Sequence, residues 1–234
     1  MDAKHVDRWL RRAGQLLLAP RCLVCSEPGT GGLDLCSACT DALPWNHSAC
    51  PRCALPTPHG DLCGECLQSP PPVAATQAAF VYGFPLDRLV PRFKFHQDLA
   101  AGRLLAEVMA QGLATTTRPD ALVPVPLHAT RLRQRGYDQA LELARPVGRR
   151  LDVPVLTTVL LRQRDTAPQS ELDAAARRRN LRKAFAIRPD VALPAHVALL
   201  DDVMTTGATL HAAARVLLRA GVKRVDAWVC ARAP

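Results

Sequence analysis

Val197-Ala198-Leu199-Leu200-Asp201-Asp202-Val203-Met204-Thr205-Thr206-Gly207-Ala208-Thr209-Leu210 runs from four apolar residues through two carboxylates into a hydroxyl-rich turn with one glycine. Four consecutive apolar residues suit a strand buried on both faces of a parallel sheet. Leu210, Ala213, Ala214, Leu217 and Leu218 then share one face of a helix. Gly221 is placed to end that helix as its C′ residue. The stretch reads as strand, acidic pair, loop, helix.

Thr205 to Thr209 would turn several backbone N–H groups toward one point at a helix N-terminus, where unpaired donors and the helix dipole favour an anion. Gly207 permits the positive φ that such a nest needs. Asp201 and Asp202 accept hydrogen bonds when ionised, which suits a pair of ligand hydroxyls or a hydrated Mg²⁺. A phosphate beside vicinal hydroxyls describes ribose 5-phosphate. This order of residues resembles the ribose-phosphate signature of type I phosphoribosyltransferases. The resemblance implies an α/β fold, an open and mainly parallel sheet flanked by helices.

A chain of 234 residues has room for one such core and a smaller module. No run of about 18 apolar residues occurs, and the N-terminus lacks the apolar core of a secretory signal. A cytoplasmic protein is expected. The net charge of +9 lies downstream: residues 1–72 carry 6 basic and 7 acidic side chains, whereas 128–188 carry 14 and 6. Such a field attracts polyphosphate or nucleic acid. With only four of the thirty basic residues being Lys, a compositional preference for Arg explains the charge equally well.

Four Cys-x-x-Cys pairs occupy the N-terminal third: Cys22/Cys25, Cys36/Cys39, Cys50/Cys53 and Cys63/Cys66. Two residues between cysteines let both sulfurs reach one tetrahedral Zn²⁺ at about 2.3 Å, and two such knuckles close a four-cysteine site. A reducing cytoplasm disfavours disulfides, so eight cysteines imply two structural zinc ions. The intervals fit both sequential sites and a cross-braced arrangement, with sequential sites the expectation. His47 and His59 are expected in loops, and Cys230 in the core of a strand. Zinc here would fold a module too small to bury its own core.

The chain divides into an amphipathic basic helix within 1–20, a double zinc-knuckle module over 21–69, a Pro-rich linker over 70–77 and an α/β domain over 78–234. The helix, with Trp9, Leu10, Leu16 and Leu17 against Arg8, Arg11 and Arg12, could touch an anionic membrane surface peripherally or pack on its own protein. Ala78 to Tyr82 reads as a strand, Leu86 to Phe95 as a helix or helical turn broken near Pro91, and Leu99 to Leu113 as a helix capped by Asp98. Leu122 to Pro126 reads as a short strand. His128, Arg131, Arg133 and Arg135 follow it as a basic loop, and Gly136 to Ala140 open a helix to about Arg150. Guanidinium groups beyond a strand end suit a pyrophosphate. Val153 to Leu161 reads as another strand. Arg162, Arg164, Thr166, Gln169, Arg177 and Asn180 belong to a long polar excursion expected to cover the crevice.

The cysteine pairs, Val123-Pro124-Val125-Pro126-Leu127-His128 with Arg131, Arg133 and Arg135, the Gly136-Tyr137-Asp138-Gln139-Ala140 turn, the spaced Thr166, Gln169, Arg177 and Asn180, and the Asp201 stretch together resemble the ComF family of phosphoribosyltransferase-like proteins. That family is associated with uptake of transforming DNA in bacteria. One departure is Tyr137-Asp138 where the family commonly has Phe-Asn, which adds a negative charge near the arginines. The resemblance implies binding of phosphoribosyl pyrophosphate with Mg²⁺. Asp201, Asp202, Val203, Met204, Thr205, Thr206, Gly207, Ala208 and Thr209 would hold the ribose phosphate, and His128, Arg131 and Arg135 the pyrophosphate. Asp201, Asp202, Arg131 and Arg133 would be the catalytic set, for an acceptor that the sequence does not name. Single-stranded DNA and other DNA-uptake proteins are the implied partners. A nucleic-acid-binding factor and a sugar-phosphate sensor without turnover are the competing readings.

Overall fold

The stretch from Val197 does form a strand, and a longer one: β5 runs His196–Met204 and takes in both aspartates. In the computed structural model, which describes residues 19–163 and 184–234, it lies inside a four-stranded sheet of order β1-β6-β5-β2. β1 is Thr76–Val81, β2 is Ala121–Pro124 and β6 is Arg224–Arg232; every pairing among them and β5 is parallel. Alternation along the strands separates two cores. Leu122, Ala198, Leu200, Trp228 and Cys230 face one, whereas Val123, Val197, Leu199, Ala227 and Val229 face the other.

The first core is closed by helices α3 (Leu86–Phe95), α4 (Leu99–Leu113) and α6 (Gln139–Leu151). The second is closed by α7 (Ala208–Arg219) and by the antiparallel pair β3 (Leu160–Arg162) and β4 (Phe185–Ile187). Asp98 caps α4 as expected, accepting the Ala101 N–H at 3.0 Å. α7 ends in a Schellman turn: Gly221 has φ +102°, its N–H bonds Leu218 O, and the Val222 N–H bonds Leu217 O.

Several elements differ from expectation. Pro91 lies within α3 without dividing it; its missing N–H removes a single bond in the middle of the ten-residue helix. The arginines after β2 are not in a loop: Ala129–Arg135 is a short helix, α5, closed by Gly136 at φ +79°. It buries none of its residues, so it carries no apolar stripe for a periodicity to reveal. Of the strand expected over Val153 to Leu161, a single bridge from Leu122 to Val155 joins the sheet, and the chain then turns into β3. The segment after the three prolines is packed rather than free, since Val73 is buried and the Ala74 N–H bonds Val225 O on β6. The basic helix expected over residues 4–19 falls almost wholly outside the described residues.

The cysteine module covers the outer edge of β1. The Val81 N–H bonds Pro44 O at 2.8 Å, the Asn46 N–H bonds Ala79 O at 3.0 Å, and Trp45 lies on Phe80 with ring centroids 4.6 Å apart. An exposed strand edge is thereby paired. Among the described residues no helix is long and apolar enough to cross a membrane.

Candidate metal centres and anion crevice

The eight sulfurs gather into two sets, Cys22, Cys25, Cys36, Cys39 and Cys50, Cys53, Cys63, Cys66, each with its sulfurs within 4.8 Å of one another. The pairing is sequential. The two halves repeat one another about 28 residues apart. Cys22 and Cys50 each accept a turn N–H on their carbonyl, from Ser26 and Ala54, both at positive φ. Cys36 and Cys63 each stand at the N-cap of a one-turn helix, α1 (Ser37–Asp41) and α2 (Gly64–Gln68). That repeat is visible in the cysteine spacing itself.

The spacing of the sulfurs fits zinc. Cys25 Sγ lies 3.6 Å from Cys36 Sγ and 3.7 Å from Cys39 Sγ, and Cys53 Sγ lies 3.6 Å from Cys63 Sγ. Four sulfurs at about 2.3 Å around one tetrahedral ion stand about 3.8 Å apart, whereas a disulfide closes to about 2.05 Å. Burial pushes the Cys22 and Cys50 thiols up, but backbone N–H groups of Cys36, Cys25 and Val24, and of Cys63, Arg52 and Cys53, bring each down to about 6. Burial and neighbouring thiols push Cys39 and Cys66 up. N–H groups aimed at the sulfurs stabilise the thiolates that a metal requires.

The second site lies beyond the carboxyl ends of the strands. From β2 the chain passes through α6 to Val155, on the outer side of β2; from β5 it passes through α7 to β6, on the other side and the other face. Neighbouring strands that send their connections apart leave a crevice between their ends. Thr205 to Thr209 enter it from β5, the segment from Val125 to α5 enters it from β2, and α3 brings Lys94.

Gly207 has φ 71° and is the N-cap of α7, the shape expected of an anion nest. A methyl group there would lie 2.5 Å from Met204 Cε and 2.8 Å from His211 Nε2. Thr205 and Thr206 are exposed, and the Ala208 N–H reaches Thr206 Oγ1 at 3.4 Å. The sequence did not single out His211. Its Nε2 is buried without a hydrogen-bond partner, and burial, then the Arg215 charge, lowers its pKa to about 4.

As consecutive strand residues, Asp201 and Asp202 point to opposite faces. Asp202 turns toward α3, where Lys94 Nζ meets its Oδ2 at 2.9 Å. Asp201 Oδ1 accepts the Asp202 N–H at 2.9 Å, and Asp202 Oδ1 accepts the Val203 N–H at 2.6 Å. Burial, then the Asp202 charge, pushes Asp201 up to about 7.

The arginines are drawn together only in part. Arg131, Arg133 and Arg135 all lie on α5, whose N-cap His128 accepts the Thr130 N–H on Nδ1 at 3.3 Å. Arg135 donates to Gln139 Oε1 at 2.9 Å and covers one face of the Phe95 ring at 5.3 Å. Arg162 lies on β3 with its guanidinium over the Phe185 ring. Arg164, Thr166, Gln169, Arg177 and Asn180 lie outside the described residues. Asp138, the departure from Asn, caps α6: its carboxylate accepts N–H groups of Leu127 at 2.8 Å and Leu141 at 3.1 Å. Tyr137 packs on Phe93 and donates its hydroxyl to Phe93 O. The added charge is thus turned inward, where burial raises the Asp138 pKa.

Two four-cysteine zinc sites joined to an open parallel sheet flanked by helices define a zinc-ribbon α/β protein. The double zinc ribbon domain family matches residues 13–67. Over 219 residues the chain is 36% identical to the "DNA utilization protein YhgH" of Escherichia coli O157:H7, covering 90% of this chain and 96% of that one. It is 36% identical to "Competence protein F" of Haemophilus influenzae, over 73% of this chain and 78% of that one. It is 27% identical to "Competence protein ComFC" of Streptococcus pneumoniae, over 85% and 87%. The chain belongs to the ComF family, and its two cysteine sites are structural zinc sites.

Proposed function

We propose that the crevice between β2 and β5 binds phosphoribosyl pyrophosphate with Mg²⁺, and that the protein supports uptake or processing of single-stranded DNA. The observation that carries the ligand is Gly207, a left-handed N-cap opening a 12-residue helix at the end of the strand that holds Asp201 and Asp202. Backbone N–H groups from Thr205 to Thr209 take the 5-phosphate. Asp201 accepts the ribose hydroxyls, while Asp202, turned to the other face of β5, is held by Lys94. His128, Arg131, Arg133 and Arg135 on α5 face the pyrophosphate. Mg²⁺ would enter on the pyrophosphate's own oxygens and waters, because Asp202 is already paired with Lys94. There it would neutralise charge on the leaving group. The role in DNA handling rests on the names of the relatives.

Sensing of the sugar phosphate without turnover is a second reading, favoured by the hydrogen bonds through which Arg232 joins the zinc module to the loop. Thermal unfolding with phosphoribosyl pyrophosphate and Mg²⁺ tests the site. Wild type should be stabilised and the Asp201→Asn, Asp202→Asn double variant should not; no stabilisation of either sinks the proposal. Pyrophosphate release measured across candidate bases then separates transfer from sensing.

A further inference from the structure

Arg232 is a buried cation, 8% exposed, at the end of β6. Its Nε donates to Cys53 O at 2.9 Å, its Nη1 donates to Met204 O at 3.4 Å, and Nη1 also donates to Ala233 O. All three acceptors are carbonyl oxygens. Cys53 is a ligand of the second zinc site, and Met204 is the last residue of β5, immediately before the Thr205–Thr209 loop. Burying a guanidinium without a countercharge is costly. Zn²⁺ with four thiolates carries a net charge of about −2, which supplies that countercharge one residue's backbone away.

Other bonds fasten the same knuckle to the sheet. The Thr76 hydroxyl donates to Arg52 O at 2.7 Å, the Thr76 N–H bonds Pro51 O at 2.9 Å, and the Arg52 guanidinium reaches Val73 O at 3.1 Å. The second site is therefore seated against β1 on one side and, through Arg232, against the entry of the anion loop on the other.

We infer that Arg232 is a positioning residue that ties the Cys50/Cys53/Cys63/Cys66 zinc site to the phosphate loop, so that zinc there and ligand at the loop stabilise one another. The inference rests on the phosphate-loop reading above. Its physical basis is that a planar fork spans two carbonyls at fixed separation, which a single ammonium does not. Coupling between two sites is reciprocal.

The test follows zinc release into a metallochromic chelator from the full-length zinc-loaded protein, with and without phosphoribosyl pyrophosphate and Mg²⁺, alongside thermal unfolding. In wild type, ligand should slow release of one of the two zinc equivalents. Arg232→Met and Arg232→Lys should release one equivalent faster, lose the ligand's effect on release, and bind ligand about tenfold more weakly. Arg224→Met, at the far end of β6, should leave zinc release and the ligand's effect on it as in wild type, although loss of its ion pair with the buried Asp226 lowers thermal stability. Should Arg232→Met fail to fold, Arg232→Lys and the wild-type ligand effect carry the test. A wild type that shifts with ligand, whose zinc release is indifferent to it and unchanged in both Arg232 variants, overturns the link alone. A wild type with no ligand shift overturns the phosphate site and the reciprocal effect together.

Discussion

Lys94 Nζ stands 2.9 Å from Asp202 Oδ2, across 108 residues of sequence, with both side chains mostly buried. The pair joins α3 to the end of β5. Lys94→Met leaves a buried carboxylate without its cation, and should cost about 2 kcal/mol after discounting for the exposed part of the lysine. Urea unfolding of Lys94→Met, Asp202→Asn and the double variant checks this: the double variant should lose clearly less than the sum of the two.

Asp201 gives stability a pH dependence. Its folded pKa, raised to about 7, lies above that of an unfolded aspartate, so the folded state holds its proton more tightly. The stabilisation is full in acid and is lost as pH rises toward 7. Urea midpoints of the zinc-loaded protein should therefore fall between about pH 5.5 and about pH 7.5, and Asp201→Asn should flatten that slope. A slope unchanged in the variant assigns it to another group.

Gly207→Ala forces a left-handed φ on a side chain that would lie 2.5 Å from Met204 Cε. Strain of about 1 kcal/mol from the backbone and about 1–3 kcal/mol from overpacking should lower stability. Stabilisation by phosphoribosyl pyrophosphate should vanish with it. Retained ligand stabilisation would show that the loop does not need this conformation.

Zinc analysis should find two equivalents per chain. Cys39→Ser should lose the first and Cys66→Ser the second, each leaving one. Chelation should expose the edge of β1 that Pro44 to Asn46 cover, read as new hydrogen exchange at Val81 and at Asn46, whose N–H bonds Ala79 O. Protection at those positions that survives complete zinc loss would contradict the folding role given to the metal.

The parts of this protein that its sequence discloses are those built from local contacts. The apolar run before Asp201, Gly207, the Schellman glycine at 221, the Asp98 cap and the cysteine spacing each encode their structure within a few residues. Lys94 is unreadable as a partner of Asp202, because only parallel strand order brings α3 beneath β5. Arg232 looks like one more arginine in an Arg-rich chain until β6 registers it beside Met204. The helix α5 hides because every side chain it presents is at least partly exposed. The strand expected over Val153 to Leu161 joins the sheet only through a single bridge at Val155, and an apolar run does not disclose how much of it finds a partner strand. Asp201 and Asp202, adjacent in sequence, look like one acidic pair, whereas the strand turns them to opposite faces and gives them different partners.

The loop after β5 is proposed as a phosphate site at the switch point of the sheet. Calorimetric titration of phosphoribosyl pyrophosphate into the zinc-loaded protein, in Mg²⁺, tests it most directly. Saturable binding at one site per chain is expected, strongly weakened by Gly207→Ala and by the Asp201→Asn, Asp202→Asn pair. Saturable binding that both variants leave intact, or no binding to wild type, would contradict it.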